Sequence, residues 1–152
     1  MQWPWGNGWT LFWLTVLLLV LLIACVTVII KKRKRKEYLV TVEGTVMKVL
    51  ADDTDRRGGM HQRLLIKITK VLDNPEDADV DTQHNVLVTM RFGDRDGFPE
   101  RLGVFDKADG KRIEIRGKYI PAENNMGNRK QAVIHFTHKP IGYVRLNNKT
   151  YR

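Results

Sequence analysis

Tyr38-Leu39-Val40-Thr41-Val42-Glu43-Gly44-Thr45-Val46-Met47-Lys48-Val49-Leu50 is the stretch that decides how most of this 152-residue chain folds. Tyr38, Val40, Val42, Gly44 and Val46 fall on one face of an extended chain, and Thr41, Glu43 and Thr45 on the other. That period of two marks a half-buried strand. Gly44 inside it makes room for a bulge or a sharp coil where a sheet must close.

The same period recurs downstream. Over 61–72, Leu64, Ile66 and Ile68 oppose Arg63, Lys67 and Thr69. Over 84–92, Val86, Val88, Met90 and Phe92 share a face. Over 111–120, Ile113, Ile115 and Tyr119 oppose Glu114, Arg116 and Lys118. Over 131–138, Ala132, Ile134 and Phe136 oppose Val133, His135 and Thr137, and 141–143 adds a short sixth strand. The longest turn-rich connection, 93–110, has room for one short helix near 99–103. Five short strands in this order predict a small OB-like five-stranded barrel, with an open β-sandwich as the alternative.

Upstream the character changes. Residues 11–30 carry no charge, and fifteen of them are Leu, Ile, Val or Phe. A helix of that length spans about 30 Å, which predicts one N-terminal transmembrane helix. Lys31, Lys32, Arg33, Lys34, Arg35 and Lys36 follow at once, whereas residues 1–10 form a short tail without charged side chains. The positive flank stays inside, so the expected topology is a single pass through the inner (cytoplasmic) membrane. The N-terminus would face out and the domain 37–152 would lie in the cytoplasm. Trp3, Trp5, Trp9 and Trp13 would mark the outer interface. The expected partners are the lipid bilayer and, at the basic run, anionic lipid. Neither the positive n-region nor the short apolar core of a cleavable signal peptide is present. Leu22-Ile23-Ala24-Cys25 resembles a lipoprotein box, but the apolar run continues past it, which leaves lipidation of Cys25 open.

Charge says less about the domain than the total of +9 suggests. Residues 37–152 hold 20 Lys and Arg against 17 Asp and Glu, a balance of +3. It is divided, at −5 over 37–100 and +8 over 101–152. The domain contains no cysteine, which excludes disulfides and thiolate metal sites, and no cofactor is indicated. Asp77, Asp79 and Asp81 alternate as in a calcium loop but lack its glycine and its closing glutamate.

Two clusters carry chemistry. His61-Gln62-Arg63 opens the second strand after a glycine loop, and His135 and His138 end the fifth. These five side chains are the candidate ligand-binding residues. Arg63 has the planar fork that suits phosphate or carboxylate. His135 and His138, three apart on a strand, point to opposite faces and make a poor metal pair. His135, between an inward Ile134 and an inward Phe136, is expected to face out.

Glu43-Gly44-Thr45-Val46-Met47-Lys48-Val49-Leu50, Gly59-Met60-His61-Gln62-Arg63-Leu64, Gly117-Lys118-Tyr119 and Val133-Ile134-His135-Phe136-Thr137-His138 together resemble a bacterial domain-of-unknown-function family. Its members carry His-Gln-Arg-Phe and Val-Ile-His-Trp-Thr-His motifs. The resemblance covers residues 42–152 and implies a compact β-barrel, with no activity to carry over. Leu64 and Phe136 replace the family's Phe and Trp. Thr89-Met90-Arg91 stands where the family has Ala-His-Asn, and Lys139 where it has Asp.

Three functions fit these residues. The first is a membrane-anchored module whose barrel binds an anionic ligand or nucleic acid. The second is an adaptor for a protein partner. The third is a phosphodiester hydrolase, with His61 or His135 as general base and Arg63 on the phosphate.

Overall fold

The computed structural model describes residues 9, 12–23, 36–125 and 131–152. The chain divides into two units, Met1–Lys34 and Arg35–Arg152.

In the first unit residues 12–23 are helical, and Thr15 Oγ1 donates back to the Phe12 carbonyl at 2.7 Å. Among the described residues no helix is long and apolar enough to cross a membrane. The expectation of a transmembrane helix over 11–30 is therefore corrected. Residues 24–30 of that stretch, Cys25 among them, lie outside the described residues, as do Trp3, Trp5 and residues 31–35 of the basic run.

The second unit is one sheet closed on itself. Its strands are β1 (Tyr38–Thr54), β2 (Met60–Asp73), β3 (Asn85–Phe92), β4 (Arg112–Ile120), β5 (Val133–His135), β6 (Tyr143–Leu146) and β7 (Lys149–Tyr151). The order is β1-β2-β3-β5-β4, and β1 pairs again with β4 to complete a five-stranded barrel. The β3–β5 contact is parallel and the other contacts of the barrel are antiparallel. The closed barrel agrees with the strand periods, and the open sandwich is set aside.

Closure depends on β1. Its first half, Tyr38 to Thr45, pairs with β4, and from Thr41 onward with β2 as well. Its second half pairs with β2 alone and continues as a two-stranded ribbon. Gly44 sits at the coil between these roles. A Cβ there would stand 2.6 Å from the Lys67 carbonyl oxygen, so the close approach of β1 and β2 requires glycine.

The alternating apolar residues line the interior. Val40, Val42, Leu64, Ile66, Val86, Val88, Ile115, Tyr119, Ile134 and Val144 are all fully buried. Burial of each aliphatic side chain contributes about 1.5–3 kcal/mol. The helix expected near 99–103 is instead a 3-10 turn at Gly103–Lys107, whose Phe105 inserts into the core.

The chain end differs from expectation in two places. β5 stops at His135, short of 138, because Phe136 has φ 52° and leaves the strand path. A bulky residue in that left-handed region costs about 1–3 kcal/mol. The sixth strand begins at Tyr143 and pairs with an unforeseen β7. Asn147 and Asn148, at φ 51° and 61°, make the two-residue turn between them, where asparagine tolerates the left-handed conformation.

Candidate functional site

The β2 alternation sends Gln62, Leu64, Ile66 and Ile68 inward and leaves His61 and Arg63 outside. Register then sets their neighbours. His61 lies opposite Arg91 and Arg63 opposite Thr89. The parallel pairs Leu87–Val133 and Val88–Ile134 carry the row onto β5, where the next step brings Thr89 level with His135.

His61, Arg63, Leu87, Thr89, Val133 and His135 line a cleft of about 340 Å³ on the outer face of the barrel. Its floor is apolar, formed by Leu87 and Val133 with Ile120 of β4. His61 and Arg63 form one wall with Asp53 and Asp55 of the ribbon, and His135 and Asn125 stand on the opposite side. Asn125 is buried, and its Nδ2 donates to the Gln131 carbonyl at 2.7 Å. That bond ties together the ends of the β4–β5 connection.

Arg63 is oriented by two bonds. Its Nε donates to the Ala51 carbonyl at 2.9 Å, and its Nη1 lies 3.4 Å from Asp53 Oδ2. Neither bond uses Nη2. Pairing with Glu43 or Glu114, the ordinary structural alternative for this arginine, does not occur: those carboxylates hold Arg112 and Arg145.

The ribbon tip fixes Asp55. Its carboxylate accepts the backbone N–H groups of Gly59 (2.9 Å) and Arg57 (2.7 Å), which hold it below the usual carboxylate range. Arg91 grips Asp94 with Nε and Nη2, at 2.8 and 2.6 Å to one oxygen, and reaches Asp55 at 3.9 Å. The Asp94 carboxyl is lowered chiefly by that grip. A protonated His61 adds a smaller favourable charge to both carboxylates.

His135 Nε2 lies 3.5 Å from Glu37 Oε1, an ion pair when the imidazole is protonated. Its ring also meets Phe136, with centroids 4.4 Å apart.

Two of the five candidates go elsewhere. Gln62 is buried in the barrel, where Nε2 donates to the Leu102 carbonyl at 3.1 Å and approaches Asp106 Oδ1 at 3.4 Å. It ties β2 to the 3-10 turn. His138 is also buried. Its Nδ1 donates to the Lys139 carbonyl at 2.8 Å, and its ring meets Phe98 edge-on. His61, Arg63 and His135 are brought together; Gln62 and His138 serve the interior.

Asp55, Thr89 and Asn125 were not singled out from sequence. Pairing β2 with β3 through their apolar positions would have placed Thr89 opposite Arg63. Nothing local marks Asn125, whose role depends on the path of a connection. Among the described residues no group of three or more His, Cys, Asp or Glu is placed to hold a metal ion. The cleft can chelate an anion between Arg63 and the imidazoles, over a surface that takes apolar contact. No family model matches the sequence, and no curated protein or solved structure is detectably similar to it.

Proposed function

We propose that the barrel is a binding module that holds an extended anionic ligand across β2, β3 and β5. One observation carries this reading. His61 and Arg63 from one motif and His135 from a distant one line the same cleft, beside an apolar floor. Barrels with this strand order, of the OB type, receive chains of nucleotides or sugars across the same face, between the first and the fourth inter-strand connections.

Hydrolysis is the weaker reading. Asp55 Oδ1 accepts two turn amides and Asp53 Oδ2 pairs with Arg63, so these cleft carboxylates are engaged in the fold rather than in assisting a general base, His61 or His135.

The basic run at 31–36 is read, within the same proposal, as an attraction to anionic lipid. Changing all six cations to serine should abolish co-sedimentation that depends on phosphatidylserine. That background also keeps the run from masking the cleft. In it, binding of labelled polyanions (heparin fragments, polyphosphate, short oligonucleotides) is followed by fluorescence anisotropy. Arg63→Ala should weaken binding about tenfold, the scale of one charge-assisted hydrogen bond. Arg112→Ala, outside the cleft, should not. Equal effects of the two variants, or no binding at all, would overturn the reading.

A further inference from the structure

Phe136 is the one exposed Phe, Trp or Tyr among the described residues of 36–152. Its exposure is not the default of its position. Ala132 and Ile134 are buried, and continued alternation would bury residue 136 beside them. Instead φ at Phe136 is 52°, and the ring turns to solvent with 41 % of the residue exposed.

The surrounding chain holds it there. Thr137, fully buried, turns its hydroxyl toward the Thr89 carbonyl at 3.5 Å. The His138 carbonyl accepts the Gly142 N–H at 2.8 Å, and the His138 ring packs on Phe98. The side chains on either side of Phe136 along the turn are thus committed to the fold, while the phenyl ring is presented. It abuts His135, a wall of the cleft, at 4.4 Å between centroids and 41° between planes.

The ribbon that supplies part of the cleft wall also carries cations. Arg56 and Arg57 are exposed at the ribbon tip, with no ion-pair partner among the described residues. Arg63 lies on the cleft wall, which it shares with the Asp53 and Asp55 carboxylates, and keeps Nη2 outside its two bonds. Flat apolar rings beside a cationic track are how single strands are held: backbone phosphates meet the cations and bases stack on the rings.

We propose that Phe136 is a stacking platform for a base, and that the ligand of the cleft is single-stranded nucleic acid. This rests on reading the cleft as an anion site, and the test separates the two claims. The full chain, with residues 31–36 as serine, is titrated with a short fluorescent thymidine strand and with an abasic strand of equal length and charge. Phe136→Gly removes the ring and suits the left-handed backbone, so folding is not at risk; Phe136→Tyr keeps a ring. The thymidine strand should bind the parent more tightly than the abasic one. Phe136→Gly should lose about 5- to 100-fold on thymidine and almost nothing on the abasic strand, with Phe136→Tyr near the parent. Arg63→Ala should weaken both strands alike. Equal loss on both strands with Phe136→Gly, or no loss on either, overturns the stacking claim and leaves the anion reading standing. Failure of Arg63→Ala to affect either strand, or no binding by the parent, overturns both.

Discussion

Two clefts of similar size lie on the barrel surface, and their charges are arranged differently. The one across β4 and β6 encloses about 390 Å³ and is rich in charge, with Glu43, Arg112, Glu114 and Arg145 in its lining. Four of its charges answer one another, beside Lys111. Arg112 pairs with Glu43, and Glu114 accepts both Arg145 Nη1 at 2.8 Å and the Tyr143 hydroxyl at 2.5 Å. Burial, then the bond to Glu114, pushes the Tyr143 hydroxyl up. The cleft across β2, β3 and β5 is smaller and has an apolar floor. Its Arg63 is steered by a carbonyl and a 3.4 Å carboxylate contact, with one guanidinium nitrogen unused. The paired charges of the larger cleft fasten strands together. The smaller one retains capacity for a ligand.

The sharpest way to break this contrast is Glu114→Ala. It leaves Arg145 and the Tyr143 hydroxyl without their acceptor, on a half-buried face. The expected cost is about 1–3 kcal/mol, read as a fall of several degrees in Tm, with polyanion affinity unchanged. A change in affinity of the same size would show that the two clefts are not distinct. Asp53→Asn sharpens the contrast from the other side. It frees Arg63 from a partly exposed carboxylate, a pair worth under about 1 kcal/mol. Affinity should rise a few-fold while Tm holds, and weaker binding would mean that Asp53 itself orients the ligand.

The smallest effect is on pH. The Asp55 and Asp94 carboxyls are depressed in the folded state, by turn amides and by Arg91 respectively. Their stabilising contribution is in place above the unfolded carboxylate pKa, about 3.9, and is lost as pH falls through the lower folded values. The Gly59 amide resonance should therefore move only below about pH 4. A midpoint above that would contradict the hydrogen-bonded turn.

Much of the barrel was legible because its strands are half-buried and alternate. Leu64, Ile66 and Ile68 against Arg63 and Lys67 need no tertiary information. The N-terminal stretch shows the limit of hydropathy, which carries no boundary of its own: residues 11–30 are uniformly apolar, and among the described residues helix is present at residue 9 and over 12–23 without reaching the length of a membrane span. Phe136 misled for a related reason. Alternation predicts a side only while the backbone stays extended, and one left-handed residue reverses it. Gln62 looked like a site residue by adjacency to His61 and Arg63, yet adjacency on a strand puts neighbours on opposite faces. Asp55 entered through the turn that follows β1 and is held by its own backbone contacts, which no spacing rule announces.

The long first strand has one more consequence. By closing onto β4 it removes the two open margins that a five-stranded sheet would otherwise present to other chains. The margins that persist among the described residues are poor templates. β7 is three residues long and begins with Lys149. The outer side of the ribbon is interrupted by register shifts at Val46/Lys48 and Leu50/Asp53, and it carries Lys48, Asp52 and Asp53. Short length, irregular register and charge are the features that discourage strand addition and self-association. Partners are thereby steered away from the rim of this sheet and toward the side chains on its convex surface.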